Sequence, residues 1–485
     1  MSSRTEEFLN HINGEWVRSL GGRTFDNINP ADTRDIVGRF QASGAADAEA
    51  AVAAAASAFD GWRHTPLSKR CQVLLKAATY LEEHAEAFGH ELTREEGKSA
   101  ALGRDEFLRA AQTFRFYAVE AQTLGGETYP QDDAGLEVYS RREPLGVVSV
   151  ISPWNFPASI PARKLAPALV TGNTVVFKPS SDAPLSGLRL TEALVQAGLP
   201  KGVLNFVTGA AGDVGPIITT SEAIRAITFT GSTQAGEHIH RSVHLTTRLQ
   251  MELGGKNPLI VMEDADLDQA VELTIKGGFS LTGQACTGTS RVLVMSAVRQ
   301  AYTEKLLARV AGLKIGPGDQ PGMDLGPLAT AKQLRTVMEY IAIGRGEATC
   351  LCGGERLTDG IYEHGYYISP AIFTDVKPTA RIAREEIFGP VIALMEVESF
   401  AQAMAIANDS RYGLSAAIAT RNPRYMHDFT QEIQSGTVKI NRTTTGNLIN
   451  APFGGVKHSS TSTFRESGRA GLEFFTQTKM VYRGL

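Results

Sequence analysis

The sequence is poor in cysteine, and this limits the covalent and metal-based architectures that it can form. Four cysteines in 485 residues are too few for the disulfide framework that stabilises small secreted domains. A single residue separates Cys350 from Cys352, whereas zinc-binding pairs usually have about two to four residues between them. Cys71, Cys350 and Cys352 are therefore predicted to be structural, and no metal site is expected.

The sequence also lacks a long apolar run and an excess of one charge. No stretch approaches the roughly 18 to 20 apolar residues of a membrane-spanning helix, and the first residues, MSSRTEEFLNH, lack the apolar core of a signal peptide. The 48 basic and 52 acidic side chains give a net charge of −4, without the basic surface that nucleic-acid binding requires. We expect a cytoplasmic protein whose partner is a small molecule, not a membrane or a nucleic acid.

Hydrophobic residues make up 42% of the chain, and a chain of this length divides into more than one core. Residues 45–62 and 67–102 have helical patterns, and residues 137–151 predict a β-ribbon that leads into a buried strand. Short β-prone runs then alternate with helical segments, at residues 148–152, 174–178, 204–208 and 226–230. A second series begins near Gly254, with runs at residues 259–262, 290–296, 371–374 and 391–395. This alternation predicts two α/β domains, each an open and mostly parallel Rossmann-type sheet with helices on both faces.

Residues 152–157 (SPWNFP) form the first candidate site segment. They lie between a predicted strand and a predicted helix, at the carboxyl edge of the sheet, where open α/β sheets bind ligands. The side-chain N–H of Asn155 could donate there to a developing oxyanion. A turn-forming asparagine is the simpler alternative.

Residues 229–236 (FTGSTQAG) run from a predicted strand through a turn into a helix. Backbone N–H groups at the start of such a helix can bind a pyrophosphate, which makes Gly231, Ser232 and Gly236 candidate cofactor contacts. The glycine spacing is not that of the dinucleotide-binding fingerprint, so an ordinary strand-to-helix turn is the alternative.

Residues 251–258 (MELGGKNP) and 282–287 (TGQACT) contain candidate catalytic groups. Glu252 has apolar neighbours, so desolvation would raise its pKa toward that of a general base; a surface glutamate at a strand end is the alternative. Small residues flank Cys286, and a nearby helix N-terminus would favour its thiolate. Cys286 could attack an aldehyde, with its own N–H and Asn155 holding the oxyanion of the thiohemiacetal. A hydride would pass to a nicotinamide, and Glu252 would activate the water that hydrolyses the thioester.

Six motifs occur together in the chain: WNFP, FTGST, ELGGKNP, GQAC, EEIFGP at residues 385–390 and PFGG at residues 452–455. In this order they are the signature of the aldehyde dehydrogenase superfamily, which the sequence resembles from Ile12 to the C-terminus. The resemblance implies that the catalytic residues are Asn155, Glu252 and Cys286. It implies cofactor contacts from Lys178, Ser232, Glu386 and Phe388, to which we add Trp154 of the WNFP motif.

The superfamily fold implies two Rossmann-type domains and a β-ribbon that forms homodimers or homotetramers. The expected division is a cofactor-binding domain (residues 1–126 and 145–252), a catalytic domain (253–439), an oligomerisation element (127–144 and 467–485) and a bridging segment (440–466).

The position of Ser181 bears on the choice between NAD and NADP. Superfamily members that prefer NAD commonly have a glutamate three residues after the matched lysine, where its carboxylate accepts from the ribose 2′-hydroxyl. Here that position is Ser181. Without the carboxylate there is no repulsion against a 2′-phosphate, and Lys178 beside a hydroxyl can contact one. We predict that NADP is used at least as well as NAD.

Arg163 is the candidate anchor for the substrate. It follows Asn155 by about two helical turns, so both could face one tunnel, and its neighbours are mostly apolar; an ordinary surface ion pair is the alternative. The position resembles the one at which semialdehyde dehydrogenases, such as succinic semialdehyde dehydrogenase, hold the distal carboxylate of the substrate. An aldehyde that also bears a carboxylate is therefore predicted.

The sequence differs from the succinic semialdehyde enzymes at two places, and both bear on which acidic semialdehyde is the substrate. Their second arginine, six residues before the cysteine, is here Ser280, and the loop at residues 441–447 offers Arg442 and hydroxyl groups instead. Residues 287–291 and the C-terminal segment look more like α-ketoglutaric semialdehyde dehydrogenases, whose substrate, 2,5-dioxopentanoate, has an extra keto group. Arg442 and Gln284 are added to Arg163 as predicted substrate contacts, and succinic semialdehyde or a broad range of aldehydes stays open.

Three other kinds of protein could share parts of this sequence pattern. A thiol esterase could use Cys286 and Glu252, but the cofactor-side residues argue against esterase as the main activity. A protein that kept only the fold would be expected to lack Cys286, Glu252 or Asn155. A coenzyme-A-acylating member often lacks the matched glutamate, so Glu252 favours hydrolysis.

Overall fold

The computed structural model describes residues 5–484. The α-helices are α1 (Ala45–Arg63), α2 (Leu67–Glu83), α3 (Ala85–Glu96), α4 (Ala100–Glu120), α5 (Ser159–Val170), α6 (Pro184–Gln196), α7 (Ala211–Thr220), α8 (Thr233–Ser242), α9 (Leu267–Phe279), α10 (Arg299–Ala311), α11 (Ala331–Glu347), α12 (Arg381–Arg384), α13 (Phe400–Asn408), α14 (Pro423–Glu432) and α15 (Gly468–Phe474). Short 3-10 helices span Ala121–Thr123, Ser280–Gly283, Ser296–Val298 and Gly360–Tyr362.

The strands are β1 (Asn10–Ile12), β2 (Glu15–Val17), β3 (Thr24–Ile28), β4 (Ile36–Gln41), β5 (Thr128–Tyr129), β6 (Leu136–Pro144), β7 (Val147–Ile151), β8 (Thr174–Lys178), β9 (Leu204–Phe206), β10 (Ile224–Thr230), β11 (Arg248–Glu252), β12 (Asn257–Val261), β13 (Thr289–Met295), β14 (Thr349–Cys352), β15 (Ala371–Thr374), β16 (Val391–Val397), β17 (Tyr412–Gly413), β18 (Ser415–Ala419), β19 (Thr437–Ile440), β20 (Val456–Lys457) and β21 (Thr476–Gly484).

The first sheet has seven strands in the order β11-β10-β7-β8-β9-β1-β2. The strands from β11 to β9 are parallel, and β1 and β2 form an antiparallel edge. The chain leaves β7 toward β8 and β9, then returns to β10 on the other side of β7. The topological switch point, where such sheets bind ligands, therefore lies beyond the carboxyl ends of β7 and β10.

The second sheet has the order β14-β15-β16-β13-β12-β18-β19, in which only β14 is antiparallel to its neighbour. Residues 253–256 connect the last strand of the first sheet to β12. The residues that precede β12 and β13 thus lie at the amino edge of the second sheet, next to the carboxyl edge of the first. The predicted fold class, two Rossmann-type sheets, is confirmed.

Hydrophobic cores cover both faces of each sheet. In β7, Val148 and Val150 contribute to one cluster and Val147 to the other, as the period of two along a strand requires. In β13, Leu293 and Val292 divide between two clusters in the same way. Strands covered on both faces form nearly continuous apolar runs, which is why these were recognisable in the sequence.

The third sheet, in the order β21-β6-β5, is built from the segments predicted to form an oligomerisation element. Strand β21 pairs with β6 along its whole length, from Thr476 opposite Pro144 to Gly484 opposite Leu136. The outer strand has an exposed edge that includes Met480 and Tyr482. Assembly through this sheet stays a prediction.

The single helical pattern predicted over residues 67–102 is wrong, because the structure breaks it into α2, α3 and the start of α4. One break is at His84. The other is at Gly97, whose φ of 93° is in the left-handed region and where a Cβ would lie 2.6 Å from Cγ of Pro327. Only glycine fits both the conformation and the space, so the chain turns there.

Within residues 5–484, no helix is both long enough and apolar enough to cross a membrane. The same part of the chain contains no group of three or more histidine, cysteine, aspartate or glutamate side chains placed to hold a metal ion.

Candidate active site

Two cavities meet between the carboxyl edge of the first sheet and the amino edge of the second. The larger has a volume of about 320 Å³, and the smaller has a volume of about 240 Å³. Cys286 and Thr230 line both. A group bound in one cavity and a group bound in the other would therefore meet at the Cys286 thiol.

Asn155, which follows β7, is held against the loop that contains the thiol. It is buried, and its Nδ2 donates to the carbonyl oxygen of Gln284 at 2.9 Å. A primary amide has two N–H groups, so one fixes the side chain and the other is free to donate to an oxygen beside Cys286. The structure thus brings Asn155 and the Cys286 loop together, as the sequence predicted.

Cys286 occupies a turn three residues before β13. Its carbonyl oxygen accepts from Asn257 Nδ2 at 2.8 Å, and a Cβ at position 255 would lie 2.6 Å from that oxygen. In the preceding 3-10 segment, Leu281 and Thr282 both adopt the left-handed conformation, with φ of 55° and 54°. This tightly held turn fixes the position of the nucleophile relative to Asn155.

The expected stabilisation of the Cys286 thiolate is wrong for the protein without ligands. Burial raises the pKa of the thiol to about 12, and the carboxylates of Glu386 and Glu252 add to the rise, which Arg163 opposes. Cys286 follows the C-terminal end of α9, not a helix N-terminus, although Ser159 at the start of α5 lines the same cavity. Desolvation and two negative groups therefore outweigh the positive end of α5.

Glu252, the last residue of β11, lines the larger cavity. Its side chain is 1% exposed, and neither carboxylate oxygen accepts a well-formed hydrogen bond from residues 5–484. Burial, with repulsion from Glu466, raises the pKa of Glu252 well above its usual value, while Lys164, Arg465 and the N–H of Gly455 oppose the rise. The predicted desolvation is present, and it makes this carboxylate a stronger base.

A glycine makes room for that carboxylate. Gly454, in the PFGG motif, has φ of 158°, and a Cβ there would lie 2.7 Å from Oε1 of Glu252. Any side chain at this position would push against the carboxylate, so the motif keeps open the space in which Glu252 sits.

Lys164 and Glu466 form a fully buried pair next to Glu252, and sequence reasoning missed both. Lys164 Nζ lies 3.4 Å from Glu466 Oε2 and donates to Thr228 Oγ1 at 2.9 Å. Glu466 lines the larger cavity. The one sequence signal was a lysine inside the apolar segment that also contains Arg163, since buried lysines are rare without a partner.

The larger cavity carries two guanidinium groups. Arg163 on α5 is 9% exposed and Arg109 on α4 is half-buried, and both line the cavity. Arg109 donates to the carbonyl oxygen of Asn447, and no carboxylate of residues 5–484 forms an ion pair with either arginine. Arg163 was predicted; Arg109 was not, because nothing in the helical pattern of its segment distinguishes it from a surface arginine.

Two predicted substrate contacts are not brought to this cavity. Arg442 is exposed, and Thr445 and Asn447 of the same loop line the cavity in its place. Gln284 is buried, and its side-chain amide is bonded to Leu281 O and Ala329 N at 3.2 and 2.9 Å. Gln284 therefore holds the nucleophile loop in shape.

The smaller cavity is lined by five of the predicted cofactor contacts, namely Trp154, Gly231, Ser232, Glu386 and Phe388. The rings of Trp154 and Phe388 pack edge to face at 5.4 Å. Glu386 Oε1 accepts from Gly255 N at 3.0 Å, and burial raises the pKa of this carboxyl to about 7. Ser232 caps α8, accepting from Ala235 N.

The other predicted cofactor contacts lie outside the lining of the two cavities. Lys178 ends β8, one strand from the switch point; its Nζ donates to Pro179 O at 3.2 Å, and burial lowers its pKa to about 8. Ser181 Oγ donates to Gly209 O at 2.8 Å. Gly236 is a close-packing position, since a Cβ there would lie 2.5 Å from Leu253 Cδ2.

Comparison with known proteins agrees with this geometry. The chain is 45% identical to the alpha-ketoglutaric semialdehyde dehydrogenase of Bacillus subtilis (strain 168), over 99% of each chain. It is 42% identical to the alpha-ketoglutarate semialdehyde dehydrogenase of Haloferax volcanii, also over 99% of each chain. A crystal structure of an NADP-dependent enzyme from E. coli superposes with a TM-score of 0.94 at 35% identity, covering 99% of this chain and 98% of the other. The model of the aldehyde dehydrogenase family matches residues 16–481, and the chain belongs to that family.

Proposed function

We propose that the chain catalyses the NAD(P)-dependent oxidation of an aldehyde to a carboxylic acid, with Cys286 as the nucleophile. The observation that carries the proposal is the place of Cys286 in the wall of both cavities. A thiol that served only hydrolysis would need a single cavity. A second cavity, lined by the predicted cofactor contacts, supplies the place for an electron acceptor.

The residues of the smaller cavity fit a dinucleotide. The cavity lies at the switch point of the first sheet, beside the N-terminus of α8, where N–H groups favour a pyrophosphate. Outside the lining of this cavity, at the end of the neighbouring strand β8, Lys178 is a buried amine that forms no ion pair with a carboxylate of residues 5–484, as a phosphate or ribose contact would require. Ser181 has no charge that would repel a 2′-phosphate. The chemistry that NAD or NADP supplies when bound is acceptance of a hydride from the aldehyde carbon.

We propose an acidic semialdehyde, of which α-ketoglutaric semialdehyde (2,5-dioxopentanoate) is the favoured example, as the substrate. Arg163 and Arg109 supply two positive charges to the larger cavity without carboxylate partners, and a substrate carboxylate would pair with them. The printed names of the two relatives support this choice. Succinic semialdehyde, or a broader range of aldehydes, is the alternative.

The side chains divide the chemistry between them. The Cys286 thiol, after loss of its proton, attacks the aldehyde carbon and forms a thiohemiacetal. The free N–H of Asn155 and the backbone N–H of Cys286 hold the oxygen that becomes negative. After the hydride has left, the carbon is a thioester, and Glu252 takes a proton from the water that attacks it. The C–S bond then breaks, the carboxylic acid leaves, and the Cys286 thiolate takes the proton back from Glu252.

The direct test is to supply 2,5-dioxopentanoate with NADP or NAD and to follow the absorbance of the reduced nicotinamide. We expect aldehyde-dependent reduction with either cofactor, and a lower specificity constant for an aldehyde of the same length without a carboxylate. Ester hydrolysis without any nicotinamide reduction would instead support the thiol esterase. Equal specificity constants with and without the carboxylate would refute the acidic substrate.

We further propose that the chain forms a homodimer or homotetramer through the sheet of β5, β6 and β21, with the domain division given by the resemblance. The exposed Met480 and Tyr482 on β21 would be covered in such an assembly. Light scattering after size exclusion would measure the mass, and a monomer at working concentration would refute the assembly. The cytoplasmic location stays a prediction from the sequence.

A further inference from the structure

A buried cluster of Lys98 with two carboxylates, Glu106 and Glu96, holds the segment that carries Asn155. Lys98 follows α3 and Glu106 lies on α4; they are 4% and 5% exposed, and Lys98 Nζ donates to Glu106 Oε2 at 2.5 Å. The same ammonium donates to the carbonyl oxygen of Asn155 at 2.9 Å. Its charge also lies 4.8 Å from the centre of the Phe156 ring.

Glu106 grips the other end of the same segment. Its Oε1 accepts from the N–H groups of Ala158 and Ser159, at 2.9 and 3.0 Å. The first N–H groups of a helix have no acceptor within the helix, and a carboxylate is favoured there, at the N-terminus of α5. One carboxylate therefore connects the ammonium that holds Asn155 to the helix that carries Arg163.

We propose that Lys98 and Glu106 are positioning residues, which set the Asn155 side chain against Cys286 for the proposed oxidation. The proposal rests on the proposed function, because Asn155 matters only if an oxyanion forms beside the thiol. Desolvating two charges is costly, and a cap for α5 alone would not need a lysine. The lysine also lies 3.7 Å from the buried Glu96 carboxylate, and its ammonium donates to the Asn155 carbonyl, a bond that neither glutamate can make.

Glu95 offers a matched comparison within the chain. It is equally buried, and it accepts from the N–H groups of Leu185 and Ser186 at the start of α6. Glu95 thus caps the helix after β8 as Glu106 caps the helix after β7. Among residues 5–484, Glu95 has no lysine partner within hydrogen-bond distance, and it does not hold a residue beside Cys286.

The test measures kcat, KM for aldehyde and NADP, and melting temperature for Lys98→Met, Lys98→Met/Glu106→Gln and the control Glu95→Gln. A displacement of about 1 Å at a reacting group can cost about 100-fold, so we expect kcat to fall roughly 10- to 100-fold in Lys98→Met, with KM for NADP unchanged. The double variant removes the Glu106 charge that Lys98→Met leaves unpaired, but Glu96 still lacks its cation, so the melting temperature should recover in part while kcat stays low. Glu95→Gln should lower the melting temperature and keep kcat within about twofold of the wild type.

A double-mutant cycle shows whether Lys98 acts through Asn155. In an Asn155→Ala background, Lys98→Met should lower kcat by no more than about twofold, because the group that it positions is gone. If Lys98→Met lowers kcat by the same factor in the wild-type and the Asn155→Ala backgrounds, the proposal is overturned. It is also overturned if Lys98→Met/Glu106→Gln recovers kcat together with stability. A wild-type chain that does not reduce NAD or NADP with any aldehyde would refute the proposed function instead.

Discussion

The two cavities that share Cys286 differ in how they carry charge. The substrate-side cavity is lined by the acidic side chains of Glu252 and Glu466 and by the guanidinium groups of Arg163 and Arg109, which have no ion-pair partner among residues 5–484. The cofactor-side cavity has backbone N–H groups, two aromatic rings and the Glu386 carboxyl, which is fixed by Gly255. Guanidinium groups on helices suit recognition of the one group of the substrate that varies, whereas a wall built largely from the segments that follow strands suits a cofactor that does not vary. A substitution in one cavity should therefore change the kinetic constants for the molecule bound there and not those for the other, except at the shared thiol.

The largest effect is expected where the two cavities join. Cys286→Ser should lower kcat by at least roughly 10⁴-fold, since a serine hydroxyl is a far weaker nucleophile without an adjacent base. Steady-state reduction of the nicotinamide measures it. Cys350→Ser, on the edge strand of the second sheet, is the matched control and should keep full activity. If Cys286→Ser keeps its activity, the nucleophile lies elsewhere, and the two cavities do not meet at the reacting group.

Glu252→Gln should separate the two halves of the cycle. We expect kcat to fall roughly 10²- to 10⁴-fold, because the water that attacks the thioester loses its proton acceptor. Oxidation before that step needs only the substrate and cofactor sides, so a rapid burst of about one reduced nicotinamide per subunit should remain in stopped-flow absorbance. A variant that loses the burst to the same extent would show that Glu252 also acts before hydrolysis.

Arg163→Ala should damage the substrate side alone. The specificity constant for 2,5-dioxopentanoate should fall roughly 30- to 1,000-fold, as expected for losing one partner of a desolvated charge pair. KM for NADP should not change, and neither should the specificity constant for an uncharged aldehyde. Arg442→Ala is the control, because that side chain is exposed and lines neither cavity. An equal loss of the specificity constant with charged and uncharged aldehydes would contradict the role of Arg163 as the anchor of the substrate carboxylate.

Ser181→Glu should damage the cofactor side alone. A carboxylate at this position would repel a 2′-phosphate, so the specificity constant for NADP should fall roughly tenfold to thirtyfold. That for NAD should hold or rise, and KM for the aldehyde should not change. A wild-type enzyme that strongly prefers NAD, or a variant with no change in preference, would refute the assignment of Ser181.

The smallest effect, at most about tenfold for each pH unit, concerns the ionisation of groups beside the shared thiol. Glu252 and Cys286 have raised pKa values, the second about 12, and both must lose a proton to act. The specificity constant covers the steps up to loss of the hydride, so it should rise from neutral pH upward as Cys286 ionises. Because Glu252 acts in hydrolysis, its part of the rise should appear in kcat and should disappear in Glu252→Gln. A profile that falls over this range would contradict the direction of both shifts.

The sequence predicted the site residues correctly where they lie at or just after the carboxyl end of a parallel strand. Asn155, Ser232 and Glu252 each end or follow a strand of one parallel sheet, so the chain order places them at one edge. Strands β7 and β10 were found because they are covered on both faces, whereas β11, with the sequence RLQME, was not among the predicted runs. Strand β18 was missed, because its sequence, SAAIA, is rich in alanine and poor in the β-branched residues that mark a strand.

The substrate side could not be predicted in the same way. Arg109, Lys98 and Glu106 come from a helical pair far from the motifs in sequence, and helical periodicity shows only which face is apolar. Arg442 was chosen by its place in a loop, but its side chain is exposed. The sign of the Cys286 pKa shift depends on burial and on carboxylates brought together from separate segments, which no local pattern reveals.

The neutral Cys286 thiol has a consequence for the resting protein. Peroxide and electrophiles react with thiolates, so oxidation to sulfenic acid follows the fraction of thiol that is ionised. With a pKa of about 12, only a trace is ionised at neutral pH. Desolvation of Cys286 thus lowers the reactivity of the thiol toward peroxide as well as toward the aldehyde in the protein without ligands.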